Sequence, residues 1–276
     1  MKHALFVLFC IATVLSAVFC GIASADEKNA APAASITSTT PSMSTPSTNE
    51  KTYINGIDAK YPPFTFLDKD GKPEGFDIDA INWIAKEMGF KVVHQPIKWD
   101  EVIPTLQSKK IDMVASGMSI DERRKKEVNF STVYYKTVMV MVSKENSSVM
   151  PDKTMEPNVK WGVQDGTPEA HWIQDNLIED KGMTFKLVKF DSAPTIMQNI
   201  MNGNIDIAAV ARSIADEYIN KGMTLRIIGR YGQPDDLTAY AVRKDDPQLL
   251  ATLNEGLKRL MATPYWKELK VKYNLQ

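Results

Sequence analysis

The sequence predicts an α/β chain folded as two lobes, each a mostly parallel sheet flanked by helices, and three observations carry that expectation. From Tyr53 to the C-terminus, short apolar strand patterns alternate with amphipathic helix patterns, as parallel βαβ units require. The strand–helix series restarts once, near Trp161, so one set of elements is followed by a second of the same kind. Two extended apolar runs, Val138 to Ser143 and Thr238 to Val242, are candidate connectors between the two sets, and as a pattern they fit ordinary core strands equally well.

The N-terminus comes first and lies outside that pattern. Lys2 and His3 precede an apolar stretch from Leu5 to Ala17, and Ala23-Ser24-Ala25 has the small-x-small form of a cleavage site, so residues 1–25 read as a secretory signal peptide. A lipid anchor on Cys20 is disfavoured by bulky Phe19 before it. Both of the 2 cysteines, Cys10 and Cys20, fall in the signal, leaving no thiol for a disulfide or a thiolate metal site. Residues 26–52 are rich in Ala, Ser, Thr, Pro and Asn; with little to bury, they are expected to be a disordered linker.

In the first half, Tyr53 to Ile57 reads as a strand. Asp77 stands as a cap for a helix with Ile78, Ile81, Ala85 and Met88 on one face and Gly89 as its stop. Val92 to Ile97 is the next strand, Asp100 caps a short helix with Val102, Ile103 and Leu106, and Ile111 to Ala115 is a buried strand. In the second half, Trp161 to Gln164 is a strand, Pro168 occupies the first turn of a helix after Thr167, and Phe185 to Phe190 is a strand. A helix from Ser192 with Ile196, Met197, Ile200 and Met201 on one face ends by Gly203, and Ile205 to Val210 closes the series. If both extended runs are crossings, the remaining helices, Pro247 to Met261 and Pro264 to Tyr273, return to the first lobe.

Lys plus Arg number 33 against 34 Asp plus Glu, a net charge of −1, so no global field draws this chain to nucleic acid or to anionic lipid. His94 and His171 lack metal-ligand spacing, and the phosphate-loop, dinucleotide and nucleophile-elbow glycine motifs are absent, so neither metal nor cofactor is expected.

The richest segment is Ser116-Gly117-Met118-Ser119, which follows a buried strand at the end where open α/β sheets hold ligands, with Arg124 five residues beyond Ser119. An arginine fork can grip a carboxylate with two parallel bonds. Arg123 is about 100° away from Arg124 on a helix, so only one of them can face a cleft. Together with Gly56-Ile57-Asp58-Ala59-Lys60-Tyr61-Pro62-Pro63-Phe64 and Gly75-Phe76-Asp77-Ile78-Asp79, this segment resembles family 3 of the bacterial extracellular solute-binding proteins.

That resemblance, over roughly Tyr53 to Gln276, implies a type II periplasmic binding fold with two crossover strands as hinge and a discontinuous first lobe, 53–142 with 239–276 as lobe 1 and 143–238 as lobe 2. It also implies a monomer in the periplasm that closes on a small amino-acid-like carboxylate solute and presents it to the permease of an ABC importer. It implies ligand contacts from Asp58, Tyr61, Phe64, Trp99, Ser116, Gly117, Ser119, Arg124 and Thr167, with Arg124 on the carboxylate and the rings as walls. Two departures stand out: Ala211 occupies the place where the family usually has an ammonium-binding Asp, and Pro168 a place where a hydroxyl residue with a free N–H is common. They imply an unusual ligand or an altered pose. The rival expectations are an exported enzyme similar to cyclohexadienyl dehydratase and a periplasmic sensor.

Overall fold

The structure is a computed structural model and describes residues 50–275. The expected signal peptide, and the expected linker up to residue 49, lie outside the described residues.

The first lobe opens with β1 (Thr52–Ile57), then a three-stranded antiparallel meander of β2 (Lys60–Tyr61), β3 (Thr65–Leu67) and β4 (Pro73–Glu74). There follow α1 (Phe76–Met88), β5 (Lys91–Pro96), α2 (Val102–Gln107), β6 (Met113–Val114), α3 (Glu122–Glu127) and β7 (Val128–Phe130). The chain crosses on β8 (Tyr135–Thr137). The second lobe holds β9 (Met139–Lys144), β10 (Lys160–Gln164), α4 (Pro168–Trp172), β11 (Lys186–Phe190), α5 (Ala193–Met201), β12 (Ile207–Ala211), α6 (Arg212–Asn220) and β13 (Leu225–Gly229). It returns on β14 (Asp236–Thr238) to β15 (Ala241–Arg243), α7 (Pro247–Met261) and α8 (Pro264–Lys272).

The two sheets repeat one plan, with orders β5-β1-β6-β15-β7 and β11-β10-β12-β9-β13. In each, three strands pair in parallel and the fourth runs against its two neighbours, so four of five share a direction. The opposed strand in each sheet, β15 or β9, lies directly beyond a crossing. A chain that has just passed between lobes enters from the far end, and antiparallel pairing follows from that entry.

The crossings themselves are β8 and β14, which pair antiparallel as a two-stranded ribbon from Asp236↔Thr137 to Thr238↔Tyr135. This corrects the expected connectors. Val138 to Ser143 is almost wholly β9, buried and paired on both sides by β12 and β13, because a run with both faces apolar is worth more inside a sheet than spanning between bodies. Strand β9 thus belongs to the second sheet, so residues 139–142 fall there rather than in lobe 1.

Helices α1, α7 and α8 cover the first sheet together. Gly89 stops α1 in the left-handed region at φ 74°, as its place in the pattern predicts. Asp77 does not cap α1: its buried carboxylate accepts from Gly117 N–H at 2.5 Å and from the Tyr134 hydroxyl at 2.7 Å. A side chain inside the first turn faces the sheet here, so it positions the loop after β6. Asp100, likewise, sits within the 3-10 turn Trp99–Glu101 and makes no cap.

Candidate functional site: the cleft between the lobes

The C-terminal ends of β1, β6 and β10 converge on one cleft, delivering Asp58, Ser116 to Ser119 and Gln164 to it. An inner cavity is lined by Asp58, Tyr61, Trp99, Gly117, Ser119 and Arg124 from the first lobe and by Gln164, Thr167, Pro168 and Glu169 from the second. It opens toward a wider cavity of about 420 Å³ that shares Asp58 and Trp99 with it and is rimmed by Lys60, Lys98, Asp165 and Asp191. The inner cavity has about 10 Å³ of free volume, room for about one water molecule.

Groups from both lobes bridge the cavity. Arg124, 6% exposed, donates through Nη1 to the Ser119 carbonyl at 2.8 Å and through Nη2 to the Gly166 carbonyl across the cleft at 2.9 Å. Asp121 caps α3 by accepting from the Arg123 and Arg124 N–H groups and holds the Arg124 Nε at 3.5 Å. The guanidinium lies 5.3 Å over the Trp99 ring. Gln164 Nε2 donates to Asp58 Oδ2 at 2.8 Å, the second bond between lobes. Arg123, its side chain 53% exposed, pairs with Asp175 at 2.5 Å outside the cavity.

Tyr61 stacks on Trp99 at 6.5 Å and on Phe64 at 5.6 Å. Seven of the expected residues therefore line one cavity: Asp58, Tyr61, Trp99, Gly117, Ser119, Arg124 and Thr167. Phe64 and Ser116 do not. Phe64, 2% exposed, backs the Tyr61 ring, and Ser116 Oγ is consumed by the Asp58 N–H at 2.9 Å and the Thr65 hydroxyl at 2.6 Å. Thr167 lines the cavity while its hydroxyl caps α4 by accepting from Ala170 N–H.

Three further groups shape the site. Gln164 and Glu169 line it, and Asp236, on the return crossing, accepts from Ser119 Oγ at 2.8 Å. Only Glu169 had a sequence signal, an acid in the first turn of the Pro168 helix, and acids there are ordinary. Its position differs from that of Ala211, which ends β12 outside the cavity wall.

The electrostatics of the cleft are dominated by desolvation. Burial first, and Asp236 second, push the Glu169 carboxyl from 4.5 up to about 7. Burial also raises Asp58, against the hydrogen bond from Gln164, and Asp236, against that from Ser119. In lobe 1, burial raises Asp77 to about 7 and lowers His94 to about 4. Folded Glu169 keeps a proton that the unfolded chain gives up above about 4.5, so its contribution to stability falls as pH rises from there to about 7. Asp77 acts in the same direction, and His94 opposes them between about 4 and 6.5. Glu169→Gln is accordingly expected to melt above wild type at pH 8, by about 2–4 °C per kcal/mol relieved, and the gap should shrink at pH 5. Melting curves at the two pH values check this; a gap that widens at pH 5 would contradict a charge penalty at Glu169.

Among the described residues, no group of three or more His, Cys, Asp or Glu side chains could hold a metal ion. The cleft is therefore a place of hydrogen bonds, one buried cation and several buried carboxyls. The model of the bacterial extracellular solute-binding proteins, family 3, matches residues 53–276, covering both lobes and both crossings.

The chain belongs to that family.

It is similar to the L-cystine-binding protein TcyJ of Escherichia coli (strain K12), 30% identical over 211 residues, 76% of this chain and 77% of that protein. Among solved structures it is similar to a substrate-binding protein of an ABC uptake transporter from Streptococcus pneumoniae with bound histidine, with a TM-score of 0.76 and 26% identity, covering 80% of this chain and 92% of that one. It is also similar to the ancestral amino acid-binding protein AncCDT-1, described as a precursor of cyclohexadienyl dehydratase, with a TM-score of 0.72 and 31% identity over 80% of this chain and 95% of that one. This family member is a solute-binding protein with the two-lobed type II fold.

Proposed function

We propose that the protein captures a small amino-acid-like carboxylate solute in the periplasm, closes on it as a monomer, and presents the closed form to an ABC permease. The observation that carries this reading is the pair of bonds across the cavity, Arg124 to Gly166 and Gln164 to Asp58. Carbonyl oxygens fill the donor fork of Arg124 as carboxylate oxygens would, and the Gln164 amide occupies the acceptor of Asp58 as a ligand cation would. A solute would exchange these bonds for its own, so the groups that meet across the cleft are the ones that would hold it. With room for about one water in the inner cavity, entry requires the lobes to part about the β8–β14 ribbon. Asp58, Tyr61, Trp99, Gly117, Ser119, Arg124 and Thr167 are the proposed contacts, with Phe64 and Ser116 bracing them from behind. The names of the relatives, which bind cystine and histidine, support an amino acid as the solute.

The test is a thermal-shift screen of amino acids, keto acids and small amines, repeated by small-angle scattering. A ligand at a hundred times its Kd should add about 2.7 kcal/mol of stability and reduce the radius of gyration. No shift with any compound would defeat the reading.

A second reading, a dehydratase-like enzyme, draws on Glu169, a carboxyl still half protonated near pH 7 and facing a cavity that holds a carboxylate-gripping arginine. AncCDT-1, to which the chain is similar, is itself described as an amino acid-binding protein, one that preceded such an enzyme. Formation of an aromatic product from prephenate or arogenate would favour it; binding without turnover would favour import.

A further inference from the structure

The cavity presents charges of opposite sign from opposite lobes. Arg124 comes from the first lobe and Glu169 from the second, and no ion pair joins them: the guanidinium instead takes the Ser119 and Gly166 carbonyls and the Asp121 carboxylate. Among the described residues Glu169 has no ion-pair partner at all, although it is 8% exposed. What favours its ionised form is, in order, its own backbone N–H, the charge of Arg124 and the Thr167 side chain. The other two carboxylates near the cavity are better satisfied. Asp58 accepts from Lys60 N–H at 2.9 Å and from Gln164 at 2.8 Å, and Asp236 accepts from Ser119 at 2.8 Å.

A buried carboxyl with no ion-pair partner is costly unless something completes it. A ligand that carries a carboxylate and an ammonium a few bonds apart would complete both ends, its carboxylate on Arg124 and its ammonium on Glu169. We infer that Glu169 is the specificity-determining acceptor for the α-ammonium of the bound solute, so the cleft takes an ordinary α-amino acid even though Ala211 offers no carboxylate. The inference rests on the proposed reading of the cleft as a solute site. It replaces the expectation of an unusual ligand: the ammonium partner is moved from the end of β12 to the first turn of α4 within the same lobe.

Two features of the site accord with this. The first turn of α4 begins at Pro168, which has no N–H to donate, so this helix start offers a ligand anion one donor fewer and places an acid at its second position in the cavity wall. A Glu169 carboxyl raised to about 7 is partly protonated when unliganded, and an arriving ammonium, with Arg124 already beside it, stabilises the ionised form against Asp236. Binding therefore releases a proton, which a purely structural glutamate would not do.

The experiment is titration calorimetry on wild type and Glu169→Gln, each in two buffers of different ionisation enthalpy at pH 6.5. The probes are L-arginine with 5-guanidinopentanoate, and L-histidine with 3-(imidazol-4-yl)propanoate; the second member of each pair lacks only the α-ammonium. For whichever amino acid binds, wild type should prefer it over its partner at least about tenfold and release a proton on binding. Glu169→Gln should abolish the preference and the proton release while holding the des-amino compound within about threefold of wild type. The inference is overturned if Glu169→Gln binds the amino acid as wild type does, or weakens both members of a pair equally. Wild type binding neither amino acid would defeat the amino-acid reading itself, a different signature from preference retained in the variant.

Discussion

Arg124→Ala is expected to remove nearly all binding of any carboxylate solute, a loss on the order of 2–5 kcal/mol, while leaving the fold in place. Arg124 is 6% exposed and held by Asp121, by two carbonyls and by the Trp99 face, and among the residues that line the inner cavity it is the one cation. The α3 cap survives the change because Asp121 accepts from backbone N–H groups. Arg123→Ala provides the contrast. Its ion pair with Asp175 is largely in water and bridges the lobes outside the cavity, so its loss should weaken binding by under about 1 kcal/mol, through the closed state alone. Calorimetry with the ligand from the screen orders the two variants. Equal losses, or a larger one at Arg123, would move the carboxylate grip away from Arg124.

Gly117→Ala is expected to damage stability and binding together. Residue 117 has φ +60°, which costs an alanine about 1–2 kcal/mol, and a Cβ there would lie 2.7 Å from Tyr61 Cε1 and 2.9 Å from Phe64 Cγ. Phe64 is held at its back by Phe76 and Tyr135, at 6.4 Å and 5.6 Å between rings, so the freer Tyr61 ring has to move, and its other neighbour is Trp99 in the cavity wall. The variant should melt several degrees lower and bind at least about tenfold more weakly. A normal melting temperature with normal affinity would mean that the stack yields at no cost.

What could be read from the chain and what could not follow a physical line. Periodicity and end signals are local, so α7 begins and ends at the expected Pro247 and Met261, and Gly89 ends α1. Partners across a sheet are not local. An apolar extended run such as Val138 to Ser143 fits a connector and a core strand alike until β12 and β13 are seen on its two sides. The cavity wall was legible where residue type and loop position agreed, as for Arg124, Gly117 and Tyr61. It failed where burial had to be known: Phe64 differs from Tyr61 only in standing one layer back, and Glu169 is an everyday first-turn acid except that the second lobe buries it beside the cavity. Asp77 shows the same limit, since an acid in a first turn is normally a cap and only the Gly117 and Tyr134 contacts reveal a strut.

The placement of β15 in the first sheet bears on the order in which the molecule can be assembled from its N-terminal end. The second lobe's sheet is drawn from one uninterrupted stretch, β9 to β13, and can be completed once Gly229 is available. The first sheet cannot: β6 and β7 meet only through β15, so until Ala241–Arg243 arrives they expose open edges. The lobe that is begun first is thus finished last, with a whole second body held inside its longest loop closure.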